Sequence, residues 1–330
     1  MDDRQSTGAV TAVLDTTLAR QIVNDSIRRY IASRRDKVDG FVDKHFSRKG
    51  AWSLNKRGIG GDIFRAPLNT LLVAPTLALE GAAYVARKAK RPDLSRQIGG
   101  KDLFLKTDVS KELEWLLYTE FFELPYAHEN DKWRRASGDA LAHEILSDPR
   151  LIAQIEPMVL AAAREAAKPG GRAWLEETLT AYLGTRAATT ELSTLIMCLT
   201  TGASLTQQLT PGLISLGPAV AHAAEGAIAA KGLAGSAMFG TLPPATVAAV
   251  GGTAALVFSA SILSAVSGVV TDPVQKGLGL HHRRLHQVLD LMEEAFLSGD
   301  RAPFVVADQY VGRVMDIADL TMALWHARLV

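Results

Sequence analysis

The chain is short of cysteine, of aromatic side chains and, over one long stretch, of charge. Cys198 is the only cysteine in 330 residues. That excludes an internal disulfide framework and a cysteine-built zinc site, and it fits a reducing compartment. Aromatic residues make up 6% of the chain against 48% hydrophobic residues, so the apolar content is mostly Ala, Val and Leu, a mixture that favours helices. Repeated apolar–polar alternation bounded by turns is scarce, which argues against a β-rich fold. The opening residues MDDRQSTGAV lack the basic-then-apolar pattern of a secretory signal. The expected fold class is therefore all-α: a helical bundle with an apolar, membrane-inserted helical hairpin.

The scarcity of charge is local. From Leu192 to Thr271 the only formal charges are Glu225 and Lys231, and Gly232 to Thr271 carries none. Pro243 and Pro244 divide this run. The part from Ala245 to Val270 would span about 39 Å as a helix, more than the roughly 30 Å of a bilayer core. At helical spacing Thr253, Ala260, Ser261, Ser264, Ser267 and Gly268 share one side, with bulky residues such as Leu256, Phe258 and Ile262 opposite. Small residues permit close helix approach within lipid, so Thr253, Ala260, Ser264 and Gly268 are the candidate helix-packing positions. Arg172 and Arg186 precede the region and Lys276, Arg283 and Arg284 follow it. Positive flanks on both sides favour an even number of crossings, with both ends cytoplasmic. The first arm of that hairpin would come from Leu192 to Ala230, with Glu225 and Lys231 at the far-side turn.

Elsewhere charge is plentiful and unevenly shared. Residues 1–101 hold 19 Lys and Arg against 10 Asp and Glu, and the remainder holds 17 against 25. A basic first third seeks an anionic partner: lipid headgroups, nucleic acid or the acidic part of the same chain. Thr17 to Phe46 reads as a basic amphipathic helix broken near Gly40, its charged face solvated on a bundle. Ala66 to Leu79 is uncharged but too short to span a bilayer alone, and Pro67 and Pro75 interrupt it. The cluster Arg87, Lys88, Lys90 and Arg91 follows, and an apolar helix with a basic end suits the headgroup region. The organisation expected is a basic amphipathic region (1–101), an acidic helical region (102–190), the apolar hairpin (191–271) and C-terminal helices (272–330). In the acidic region Ser110 is a plausible N-cap, and Glu112, Glu114, Glu120 and Glu123 read as a solvated face.

Signals for chemistry are weak. AHEIL at 142–146 lacks the second His of a zinc-protease helix. His282 and His286 are four apart but have no third ligand, and His281, His282, Arg283 and Arg284 read more naturally as a juxtamembrane basic strip. No nucleotide-loop, kinase or G-x-S-x-G pattern occurs. No catalytic residue, metal or cofactor is assigned. The basic third lacks a zinc-finger spacing or an RNA-binding aromatic motif, so no nucleic-acid partner is expected. The reading is a non-enzymatic scaffold or membrane-organising protein on the cytoplasmic face of the inner (plasma) membrane, with the lipid bilayer as partner and a homo-oligomer possible. Arg87, Lys88, Lys90, Arg91, Arg283 and Arg284 are its candidate lipid-binding residues. Two alternatives stand beside it: a pore-forming or membrane-perturbing protein that hides the hairpin until insertion, and a soluble helical enzyme or carrier of an apolar ligand.

Overall fold

The computed structural model describes residues 14–56, 107–127, 134–171, 271–298 and 306–327, with isolated positions at 88, 173–175, 177, 178, 196, 215, 216, 220, 224 and 269. Their regular structure is helical apart from a short antiparallel ribbon, β1 (Tyr126–Ala127) and β2 (Arg135–Ala136). The helices are α1 (Thr16–Asp36), α2 (Val38–His45), α3 (Arg48–Asn55), α4 (Asp108–Leu116), α5 (Ala140–Leu146), α6 (Pro149–Ala166), α7 (Leu280–Leu297) and α8 (Val306–Ala327). The all-α reading holds.

Helix α1 is central and packs against α5, α7 and α8. Its sequence dictates this. Ala19, Ile22, Val23, Ile27, Tyr30 and Ile31 recur at three- and four-residue spacing and are all buried. Each large apolar side chain so buried is worth about 1.5–3 kcal/mol before conformational entropy is set against it. Asp15 starts the helix, its carboxylate accepting from Leu18 N–H at 2.6 Å. The break comes at Lys37, not near Gly40, and α2 continues the basic segment at a new angle.

Helix α4 starts one turn earlier than the sequence suggests. Thr107 is its N-cap, accepting from Ser110 N–H at 3.1 Å, so Ser110 is already inside the helix. It runs into a π-helical turn, Leu117–Phe121, and stops at Glu123, whose φ of 53° is left-handed. Two side chains of α1 hold that end in place. Tyr30 donates to the Phe122 carbonyl at 2.8 Å, and the buried Arg34 donates to the Phe121 carbonyl at 3.0 Å. Helix termini leave carbonyls without intrahelical donors, and here the neighbouring helix supplies them.

The acidic residues of this region are not a solvated face. Glu112 and Glu114 are buried, and Glu112 pairs with Arg134 at 2.8 Å. Glu120 lies 2.6 Å from Lys44, and Glu123 pairs with both Arg34 and Lys37. Burial opposes ionisation of Glu123, but the hydrogen bond from Lys37 and the charge of Arg34 outweigh it and hold the carboxyl below its ordinary value.

No helix among the described residues is long and apolar enough to cross a membrane. The expected hairpin, 191–271, lies outside the described residues except at isolated positions. Three of those, Ile196, Val220 and Ala224, are buried in the same core as α1 and α8. They meet protein, so the first arm drawn from Leu192 to Ala230 is not lipid-facing at these points.

Candidate functional site

The corner between α2 and α3 is tight. A Cβ on Gly50 would lie 2.1 Å from the Lys44 carbonyl oxygen, so only glycine lets α3 fold back this closely on the end of α2. Ser47 caps α3, accepting from Gly50 N–H at 3.2 Å. The helix then has two unlike faces. Ala51, Leu54 and Asn55 are buried, while Arg48, Lys49, Trp52, Ser53 and Lys56 are exposed along the other side.

Asn55 connects this helix to the residue that ends the uncharged run. Its amide donates to the Ala51 carbonyl at 2.8 Å and to Asp272 Oδ2 at 3.3 Å. Asp272 is fully buried, and its Oδ1 has no hydrogen-bond partner. Burial pushes its carboxyl up to about 6, with the Asn55 hydrogen bond opposing. His281, also fully buried, stacks on Phe46 with ring centroids 4.0 Å apart. Burial, helped by the charge of Arg284, lowers its pKa to about 4. The Asp272 backbone carbonyl favours the protonated ring without completing a hydrogen bond to it. At neutral pH the His281 ring is thus neutral, and the Asp272 carboxyl sits nearer its own titration with Asn55 as the donor facing it. Gln275 Oε1 and Arg284 Nη1 are also buried without partners.

Residues 271–277 are helical, and Gly279 (φ 68°) makes the left-handed turn into α7. Val274 is 57% exposed, Leu278 70% and Leu280 37%. With Trp52 at 52%, they are the exposed large apolar side chains among the described residues. Trp52 lies on α3, Val274 on the 271–277 helix that Asn55 and Asp272 join to it, and Leu278 and Leu280 at the turn that leads from that helix into α7. Lys276 and His282 face Asp43 and Asp39 of α2 at 2.7 and 3.6 Å.

The residues singled out in the sequence fall as follows. Arg283 is exposed, and Arg284 is half-buried rather than wholly on a solvent-facing strip. His281 does not belong to that strip at all. Lys88 is helical and exposed, whereas Arg87, Lys90 and Arg91 lie outside the described residues, as do Thr253, Ala260, Ser264 and Gly268. Sequence reasoning missed Trp52 and its basic neighbours because it ended the first helical segment at Phe46. The signal was there: Arg48, Lys49, Trp52 and Lys56 share a helical face with no acidic residue on it.

A second polar centre lies at the start of α5. Asp139 caps α5 by accepting from Ala142 N–H at 2.9 Å. Its other oxygen accepts from Ser215 Oγ at 2.5 Å and from Tyr310 O–H at 3.4 Å. Burial raises its pKa despite these donors. The open depression beside it, about 330 Å³, is lined by Thr119, Glu123, Gly138, Asp139 and His143 among others. The arrangement has no nucleophile set against a base. It is a helix cap that also tethers Ser215, part of the expected first arm, to the bundle. No group of three or more metal-ligating side chains occurs among the described residues.

The model of a family of unknown function, DUF6635, matches residues 24–124 and 143–328. The chain belongs to this family. The DUF6635 match takes in α2, α3, α4, α7 and the Asp272–His281 centre, and leaves out 125–142, which holds the ribbon and Asp139. No curated protein and no solved structure matches the chain.

Proposed function

We propose that the protein is a membrane-attached helical scaffold, a folded bundle on the cytoplasmic face of a membrane that carries an apolar anchor and organises partners there without catalysis. The observation that carries the reading is where the uncharged run leaves and rejoins the bundle. Ala224 belongs to the core and Asp272 is buried against α3, so both ends of 225–271 are held by one folded body. A segment that departs from and returns to the same body crosses a bilayer an even number of times or dips in and returns. Within it the uncharged residues 232–271 would measure about 60 Å as helix, the length of two passages of roughly 30 Å. The anchor is therefore shorter than 191–271. Its charged margins become Lys231 and Asp272, and Gly251–Gly252 sits midway between them as the natural turn. Lys231 then lies on the bundle side rather than at the far-side turn.

The test is extraction of membranes from cells expressing the full chain. The protein stays in the pellet through high salt and alkaline carbonate and comes out in detergent, because apolar burial holds it. Quantitative release by carbonate would overturn the reading.

A further inference from the structure

We infer that the exposed face of α3, together with the turn that joins 271–277 to α7, is a docking surface for anionic lipid headgroups. The inference rests on the membrane reading above and identifies the part of the bundle that meets the bilayer. The first ground is the distribution of exposed apolar side chains. Trp52, Val274, Leu278 and Leu280 account for the exposed large hydrophobics among the described residues, and none of them lies elsewhere on the bundle. Chance exposure would scatter them.

The second ground is charge. Arg48, Lys49 and Lys56 flank Trp52 on α3, and Arg283 lies one turn beyond Leu280 on α7. All four are exposed, and none is ion-paired among the described residues. The cations of α1 and α2 differ: Arg20, Arg28, Arg29, Arg34, Arg35, Lys37 and Lys44 each face a carboxylate of the same chain. The basic charge of α1 and α2 is thus answered within the chain, whereas that of α3 and Arg283 is not; Arg135, Arg164 and Arg313 are also exposed without an ion pair among the described residues, but they stand apart from the exposed large apolar side chains. Tryptophan and aliphatic side chains within a cationic rim match the headgroup zone, where apolar groups enter and Lys and Arg stay at the phosphate level.

The third ground is chain continuity. Val274 follows the end of the uncharged run by three residues, and Lys56 precedes the Ala66–Leu79 run by ten. In sequence, therefore, this surface adjoins the end of the uncharged run, and α3 is the last described element before Ala66–Leu79. A nucleic acid would use the cations but leave Val274, Leu278 and Leu280 in water.

The experiment uses the full chain in a Cys198→Ser background, with an environment-sensitive fluorophore on a single cysteine. Ser53→Cys and Leu278→Cys report the surface, Glu156→Cys on the exposed side of α6 is the control, and Ser264→Cys reports the anchor. Each protein is reconstituted into neutral or phosphatidylserine-containing vesicles with a lipid spin-labelled near the headgroup. Probes at 53 and 278 are expected to be quenched on anionic vesicles, and the control is not. Replacing Arg48, Lys49, Lys56 and Arg283 with Gln should bring that quenching down toward the control. Raising salt from about 0.1 M to about 1 M should act in the same direction, as the screening length falls from about 10 Å to about 3 Å. Quenching at 264 without quenching at 53 and 278 would sink the surface and leave the anchor standing. No quenching at any position would sink both. Equal quenching on neutral and anionic vesicles, or protection of the probes by an oligonucleotide instead of lipid, would also overturn the assignment.

Discussion

Helices α1 and α3 are both basic, and they use their charge in opposite ways. The cations of α1 are matched one by one: Arg29 reaches Glu144 at 2.7 Å and Asp148 at 2.9 Å, and Arg35 reaches Asp290 and Glu293, each at 2.8 Å. The acidic region and α7 supply the carboxylates, so much of the excess positive charge of the first third is answered within the chain. The cations of α3 have no such partners among the described residues and surround an exposed tryptophan. Helical periodicity alone makes the two segments look alike. What separates them is whether acidic helices pack across the charged face. A matched cation is part of the fold, and an unmatched one beside exposed apolar surface is available to something outside it.

The comparison breaks first at Arg34. It is the one cation of α1 that is buried, and Arg34→Met strips the Phe121 carbonyl and Glu123 of a donor. Removing one member of a buried hydrogen-bonded pair is expected to cost roughly 2–4 kcal/mol, read as a lower chemical-denaturation midpoint. An unchanged midpoint would mean that the π-helical turn holds itself in place.

Gly50→Ala should come next. The added methyl meets the Lys44 carbonyl, so α3 must move, at a cost of about 1–3 kcal/mol. The same variant should lose the quenching at position 53, because the docking face turns with the helix. Loss of stability with that quenching intact would separate the corner from the surface.

The two buried groups Asp272 and His281 give a pH test. The folded-state pKa of Asp272 is raised to about 6, so its contribution is fullest below its ordinary value of 3.8 and is lost as pH rises through about 6. That of His281 is lowered to about 4, so its contribution is present above its ordinary 6.5 and is lost as pH falls through about 4. The two slopes oppose each other over most of the same window, leaving the parent protein nearly flat. Asp272→Asn should therefore lose stability between pH 6.5 and 4, and His281→Gln should gain it between pH 6 and 4, each on the order of 1–3 kcal/mol. Thermal midpoints in matched buffers read both. Parallel profiles for the two variants would show that neither group titrates as described.

The smallest effect sharpens the comparison. Arg20→Gln breaks an exposed pair with Asp308 and should cost about 0.2–1 kcal/mol. The combined change of Arg48, Lys49 and Lys56 to Gln should leave stability within about 0.5 kcal/mol of the parent, since it removes no ion pair among the described residues. A clear loss from that triple variant would mean that α3's charge serves the fold after all.

How far these features were legible follows from the range of the forces involved. Local signals survived folding: the apolar spacing of α1, Asp148 before Pro149 as the start of α6, and a long C-terminal helix are all readable from residues a turn or two apart. The candidate site was half legible. The uncharged run, its basic flanks and Arg283 could be named in advance; the basic face around Trp52 was also written in the spacing of α3, but its exposure was not, because that depends on which helices do not cover α3. Glu112, Glu114, Glu120 and Glu123 were read as solvated because a lone helix offers them only water.

By itself, then, the sequence determined that the protein is helical, where its charge is concentrated and that 40 consecutive residues carry none, since propensity and composition are properties of neighbouring residues. Tertiary structure decided which charges are neutralised, because Arg29 meets Asp148 across 119 positions of chain and Arg35 meets Asp290 across 255. It also decided the ionisation of Asp272 and His281, which depends on burial against α3 and Phe46. Desolvation and ion pairing act over a few ångströms in space, and only folding brings such distant residues that close.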